Sequence, residues 1–285
     1  MRRDVLSSPR LTELKKRRRK AIQKKVLLSM LGLLAILFLS VYLSRLDSLN
    51  INEVRIEGNK VTDTEKLQTA VMEKISEKYI GIFPKTNIFY YPQSAIRETL
   101  QNEFKRIQEV NLAIKENKIL EISLTERTGK YIWCGDAPNI EKEKCYFSDE
   151  SGFIFDEAPY FSGEVYFKLY GLSDLSAENP LGEYYLESGF IQLMAFKDAL
   201  IDFGIKPVAL YHNPEGDLEF FLTRGSSSSS KPRIILKADT DFQNAAENLK
   251  AALDTEPLYS KFKEKYSTLE YIDLRFGNKV YYKFR

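Results

Sequence analysis

Few residues of this 285-residue chain have types and spacings that could do chemistry. The single histidine, His212, stands in "YHNPEGD" and reads as a solvent-facing turn residue ahead of a strand. Two pairs of neighbouring acids, Asp149-Glu150 and Asp156-Glu157, could supply the acid and base of a sugar-cleaving site. Adjacent acids in a turn are ordinarily just solvated. There is no G-x-S-x-G, no H-E-x-x-H, no S-x-x-K followed by K-T-G, and no Walker or G-x-G-x-x-G loop. A catalytic site needs a nucleophile, base or metal with partners, so binding is the activity left. No cofactor or metal is expected.

The elements that would position a binding surface follow from periodicity. "LNINEVRIEGN" alternates at Ile51, Val54 and Ile56 and ends in a Gly58-Asn59 turn. "VTDTEKLQTAVMEKI" carries a capping box from Thr62 to Glu65 and an apolar stripe at Leu67, Ala70, Val71, Met72 and Ile75. A loop through Gly81 and Pro84 leads to a second helix with Ile96, Leu100 and Phe104 on one face, and Pro92 suits its start. Two strands, "IQEVNLAI" and "KILEISLTER", joined at Glu116-Asn117, complete a β-α-α-β-β order. Beyond Thr128, strands are expected at 131–134, 145–148, 153–155 and 165–170, with a turn at Asp149, Ser151 and Gly152. A helix in "ESGFIQLMAFKDALIDFG" places Phe190, Ile191, Met194, Phe196, Leu200 and Phe203 on its apolar side and stops at Gly204. Strands "KPVALYH", "DLEFFLT" and "RIILKA" follow, the last two separated by "RGSSSSSKP", which reads as a flexible surface loop around serines 226–230. A second capping box, Thr240 to Gln243, opens another helix. The final segment, "EYIDLRFGNKVYYKFR", is a hairpin turning at Gly277-Asn278.

Charge is divided along the chain. Residues 1–25 hold eleven Lys/Arg against Asp4 and Glu13, although the whole chain carries only +2. Val26 to Ser44 contains neither charge nor proline, long enough to cross a bilayer core of about 30 Å. Basic residues on one side place the N-terminus in the cytoplasm and the chain from about Arg45 onward outside. A buried core helix fits poorly, because the run has no polar face. A cleaved signal peptide fits poorly too, because "VYLSRLD" lacks a small-x-small site. "KKRRRK" beside a span is more simply an orientation signal that touches anionic lipid than a nucleic-acid site. An outside location makes a Cys134–Cys145 disulfide plausible, closing a short loop with Asp136, Pro138 and Asn139. Two free thiols are the alternative, and metal binding is weak with one histidine and no second cysteine pair.

These pieces resemble the FtsQ/DivIB family of bacterial cell-division proteins. "INEVRIEGNKVTDTEKL", "IFYYPQSAIRETL" and "KILEISLTER" are similar to the strands and helices of a POTRA module. "YFSDESGFIF" resembles the family's strand–turn–strand, and "YIDLRFGNKVYYK" its Asp-Leu-Arg hairpin. The cysteine pair is not a general feature of the family, and "CGDAPNIEKEKC" and the serine loop read as insertions. The expected fold class is α+β: a basic tail (1–25), a transmembrane helix (26–44), a POTRA domain (49–127) and a mainly antiparallel mixed β domain with two helices (128–285). The resemblance implies a non-enzymatic protein at the division septum that holds FtsB-like and FtsL-like partners and takes neither nucleic acid nor a small-molecule substrate. It also implies that the last strand accepts a partner strand.

On that expectation the site is the hairpin itself. An unpaired edge invites another chain, and β-augmentation would use it. Along Lys279–Phe284, Val280, Tyr282 and Phe284 should face one way, and Tyr281, Lys283 and Arg285 the other. Arg275 and Lys279 could pair with partner acids, and Phe276 could anchor an apolar contact. Two other classes compete. A POTRA-bearing envelope chaperone or translocation component would need a membrane barrel partner. A membrane-anchored wall enzyme would need a pocket with paired acids or a buried histidine.

Overall fold

The computed structural model describes residues 9–116, 118–138, 144–161, 163–171, 179–186, 188–223 and 232–285. The expected turn residue Asn117, loop residue Asn139, the start of the basic tail and the serine loop lie outside the described residues.

Two compact units emerge, one of residues up to Leu100 with Val110–Leu124, the other of Gln101–Glu109 with Thr125–Arg285. The first opens with α1 (Pro9–Ser44), one helix long and apolar enough to cross a membrane. At 1.5 Å per residue the uncharged Val26–Ser44 stretch covers about 28 Å. The helix also runs back through the basic residues, further than the apolar pattern alone indicates. After it come β1 (Glu53–Glu57), α2 (Thr64–Ser76), a small hairpin of β2 (Lys78–Tyr79) and β3 (Phe83–Pro84), α3 (Gln93–Glu103), β4 (Ile107–Lys115) and β5 (Ile119–Glu126). β1 alternates as its sequence demands: Val54 and Ile56 are half-buried while Glu53, Arg55 and Glu57 are exposed. It pairs in parallel with β5, Val54 opposite Leu120 and Ile56 opposite Ile122, and the sheet order is β1-β5-β4. Gly58 must be glycine, because a Cβ there would meet the Leu124 carbonyl at 2.1 Å. Leu67, Val71 and Ile75 of α2 and Ile96 and Leu100 of α3 are buried.

The second unit is built on a nine-stranded sheet. Its strands are β6 (Tyr131–Trp133), β7 (Cys145–Ser148), β8 (Ile154–Ala158), β9 (Phe167–Gly171), β10 (Pro207–His212), β11 (Asp217–Leu222), β12 (Arg233–Lys237), β13 (Leu269–Phe276) and β14 (Lys279–Phe284). They lie in the order β14-β13-β12-β11-β10-β9-β6-β7-β8. Antiparallel pairs predominate, with parallel joins at β12–β13, β10–β9 and β9–β6. Its helices are α4 (Phe190–Asp202), α5 (Phe242–Leu253) and α6 (Leu258–Lys265), one more than the two expected. Leu193, Phe196, Leu200 and Leu249 pack with Leu210, Phe220, Ile234 and Ile272 in the main core. Ile132 and Cys134 belong to a smaller cluster with Ala158, so alternate residues around β6 serve two cores. Cys134 and Cys145 are bonded as a disulfide, Cα atoms 4.2 Å apart.

Four local expectations need correction. Met72 of the α2 stripe is exposed. Both helix caps shift by one residue in the same way. Asp63, not Thr62, accepts from the amides of Glu65 and Lys66, and Asp241, not Thr240, accepts from those of Gln243 and Asn244. A carboxylate makes charge-assisted bonds and complements the helix dipole, so it outcompetes the neighbouring hydroxyl. Ile191 is exposed, because helical spacing from Phe190 buries Leu193 and Met194 instead.

Candidate partner-docking edge

The candidate site is the β13–β14 hairpin. β14 alternates cleanly: Val280, Tyr282 and Phe284 are half-buried and pack against the main core, while Lys279, Tyr281, Lys283 and Arg285 are exposed. Tyr282 and Phe284 meet edge to face at 5.8 Å, and Lys261 Nζ lies 5.8 Å over the Tyr282 ring. Val280 and Tyr282 therefore hold the strand to its own domain rather than offering side chains to a partner. Tyr281 and Phe276 do offer theirs, at 49% and 56% exposure, in a T-shaped pair 5.3 Å apart. Among the described residues no other strand pairs with β14.

Arg275 departs from its expected role. Its Nε donates to Asp273 Oδ1 at 2.9 Å and its Nη2 to Asp273 Oδ2 at 2.7 Å. Its Nη1 donates to Asp217 Oδ2 at 2.6 Å. Asp273 and Asp217 are both buried. Residues two apart on a strand share a face, so the Asp273-Leu274-Arg275 spacing makes the bidentate pair, and Asp217 on β11 adds the second anchor. Burial works against the Asp273 carboxylate, but the hydrogen bonds and charge of Arg275 outweigh it and hold the group below the usual carboxylate range. The hydrogen bonds to Asp273, then those to Asp217, raise the Arg275 guanidinium in turn. Arg275 is thus a cross-strand tie and its charge is committed. Lys283 is likewise drawn to Glu270, at 2.8 Å. The hydrogen bond from Lys283 lowers Glu270, and the bond to Glu270 raises Lys283. Lys279 makes no ion pair among the described residues, so it is the cation left for a partner acid.

The residues weighed for catalysis sit elsewhere, and Asp149 and Asp156 are already bonded. Asp149 is buried; its Oδ1 accepts from the Ser151 amide (2.9 Å), Ser151 Oγ (2.6 Å) and the Phe153 amide (3.1 Å). Its Oδ2 takes Arg127, which also lies 4.1 Å over the Phe153 ring. Asp156 is held by Arg106. His212 is no turn residue: it ends β10, opposite Leu218 of β11 and Gly171 of β9, with both ring nitrogens shielded from solvent and without a partner among the described residues. Burial pushes its pKa down, with Asp217 opposing. Among the described residues no three His, Cys, Asp or Glu side chains are grouped to hold a metal ion. Sequence reasoning missed Asp217, because nothing local in "HNPEGDLEF" announces a partner 58 residues away.

The architecture defines a chain with one apolar N-terminal helix and a mixed sheet that ends in an open strand. The chain matches no protein-family model and no curated protein.

Proposed function

We propose that this chain is a non-enzymatic, single-span membrane protein of the bacterial division machinery, of the FtsQ/DivIB kind. In this reading the basic tail lies in the cytoplasm against anionic lipid, and the β-α-α-β-β unit is a POTRA module outside. The nine-stranded sheet holds FtsB-like and FtsL-like partners, and β14 takes a partner strand by β-augmentation. The observation that carries the reading is the open outer side of β14 on a strand whose inward side chains are already satisfied. Main-chain bonds supply only about 0.5–1.5 kcal/mol each, or about 2–6 kcal/mol for four, so they alone give a Kd on the order of tens of micromolar at best. Discrimination then rests on Tyr281, Phe276 and Lys279, and a partner strand with an apolar residue and an acid in alternate positions suits them. The test is a fluorescent tag on the N-terminus in dividing cells. Accumulation at the septum is expected; an even distribution around the envelope at every stage contradicts the reading and favours the chaperone or transport alternative.

A further inference from the structure

A second surface lies where the chain leaves α1. The carbonyl of Ser44, the last residue of that helix, accepts from Asn50 Nδ2 at 3.0 Å and Asn87 Nδ2 at 3.3 Å. The Ile51 amide donates to Thr86 O at 2.8 Å, the Ile88 amide to Leu49 O at 3.0 Å, and Arg45 Nη2 to Ile82 O at 3.4 Å. β3 lies against α1, and Val41 is the first helix residue from Glu13 onward to lose exposure. The segment around the β2–β3 hairpin is therefore tied to the last turn of the apolar helix.

The turn between β2 and β3 is built against its own backbone preference. The Ile82 amide donates to Tyr79 O at 3.0 Å, with Ile80 at φ +52° and Gly81 at φ +70° between them. Asn, Asp or Gly suits such positions, and a β-branched residue there is strained. Ile80 recovers nothing by packing within the chain, being 90% exposed. Ile82 and Phe89 are exposed as well, with Tyr79 and Tyr90 beside them and Lys78 on the flank. An isoleucine disfavoured by backbone and water alike is explained by a second apolar medium. Aromatic rings with basic neighbours are the composition of a bilayer interface.

We propose that the Tyr79–Ile82 turn and Phe89 seat in the interfacial layer of the bilayer beside α1, so that the lipid surface fixes the first unit against the membrane. The inference rests on α1 being a membrane span, as in the proposed function. The test uses the full chain in nanodiscs of mixed phosphatidylcholine and phosphatidylglycerol, with nitroxide-labelled lipids and the buried native Trp133 signal subtracted. A Phe89→Trp indole is expected to emit to the blue of its value in water and to be quenched at least twofold more by a label near the headgroups than by one at the bilayer centre. A Leu34→Trp indole in α1 is expected to show the opposite order. Ile80→Asn, which suits the turn and so preserves the fold, is expected to weaken quenching of the Phe89→Trp indole at least twofold. If that indole ignores both labels and is open to aqueous iodide while the Leu34→Trp indole is quenched, the seating is overturned and the span stands. If the Leu34→Trp indole is not quenched either, the anchor reading falls and takes the seating with it.

Discussion

The two ends of the nine-stranded sheet are treated differently. At the β8 end the chain covers the start of its own edge: the Ile154 amide donates to Glu183 O and its carbonyl accepts from the Gly182 amide, both at 2.8 Å. Arg106 then binds Asp156 and lies 5.1 Å over the Phe155 ring. At the β14 end no described strand supplies such a cover, and six residues of backbone run along the outside. An open edge is a hazard that folds normally blunt. Here the blunting is limited to charge: Lys283 and Arg285 are neutralised in part by Glu270, and Lys279 disfavours a second copy of the same strand while leaving an acidic strand welcome. The contrast is what favours β14 over β8 for the proposed binding role.

The largest expected effect breaks that contrast directly. Tyr281→Pro removes a donor and obstructs pairing on β14, and partner affinity measured by titration should fall at least a hundredfold. Glu157→Pro on β8 should leave affinity unchanged. Next, Arg275→Ala strands two buried carboxylates and should cost about 2–3 kcal/mol in denaturant unfolding. Because the Asp273 pKa is lowered on folding, its contribution is present at neutral pH and lost as pH falls through that lowered value. The gap between wild type and Arg275→Ala should therefore narrow below about pH 4. A smaller loss, about 0.5–1 kcal/mol, is expected for Asp156→Ala, since that carboxylate is 41% exposed and screened. The smallest concerns His212. Its folded pKa is lowered, so the unfolded chain binds more protons as pH falls below about 6.5 and stability declines there. His212→Gln should flatten that slope.

Much of the order of elements was legible because alternation and helical spacing are local: β1, α2 and the final hairpin follow from their own residues, whereas α6 and the β2–β3 hairpin were not read. The cap positions were nearly so, and the acid beside each threonine moved them by one. What could not be read were facts set by distant partners. A pairing of Arg275 with Asp273 can be read from their spacing, but its second anchor, Asp217 across the sheet, cannot. His212 looks like a turn residue and is shielded at the end of β10. "KYIGIFPK" reads as a loop, and its strained, exposed isoleucine became visible only with backbone angles.

The most direct measurement is amide hydrogen exchange across the second unit, with and without the proposed FtsB-like and FtsL-like partners. New protection within Val280–Phe284 is expected on complex formation, with β8 unchanged. A complex that forms while the β14 amides exchange as freely as before would contradict it.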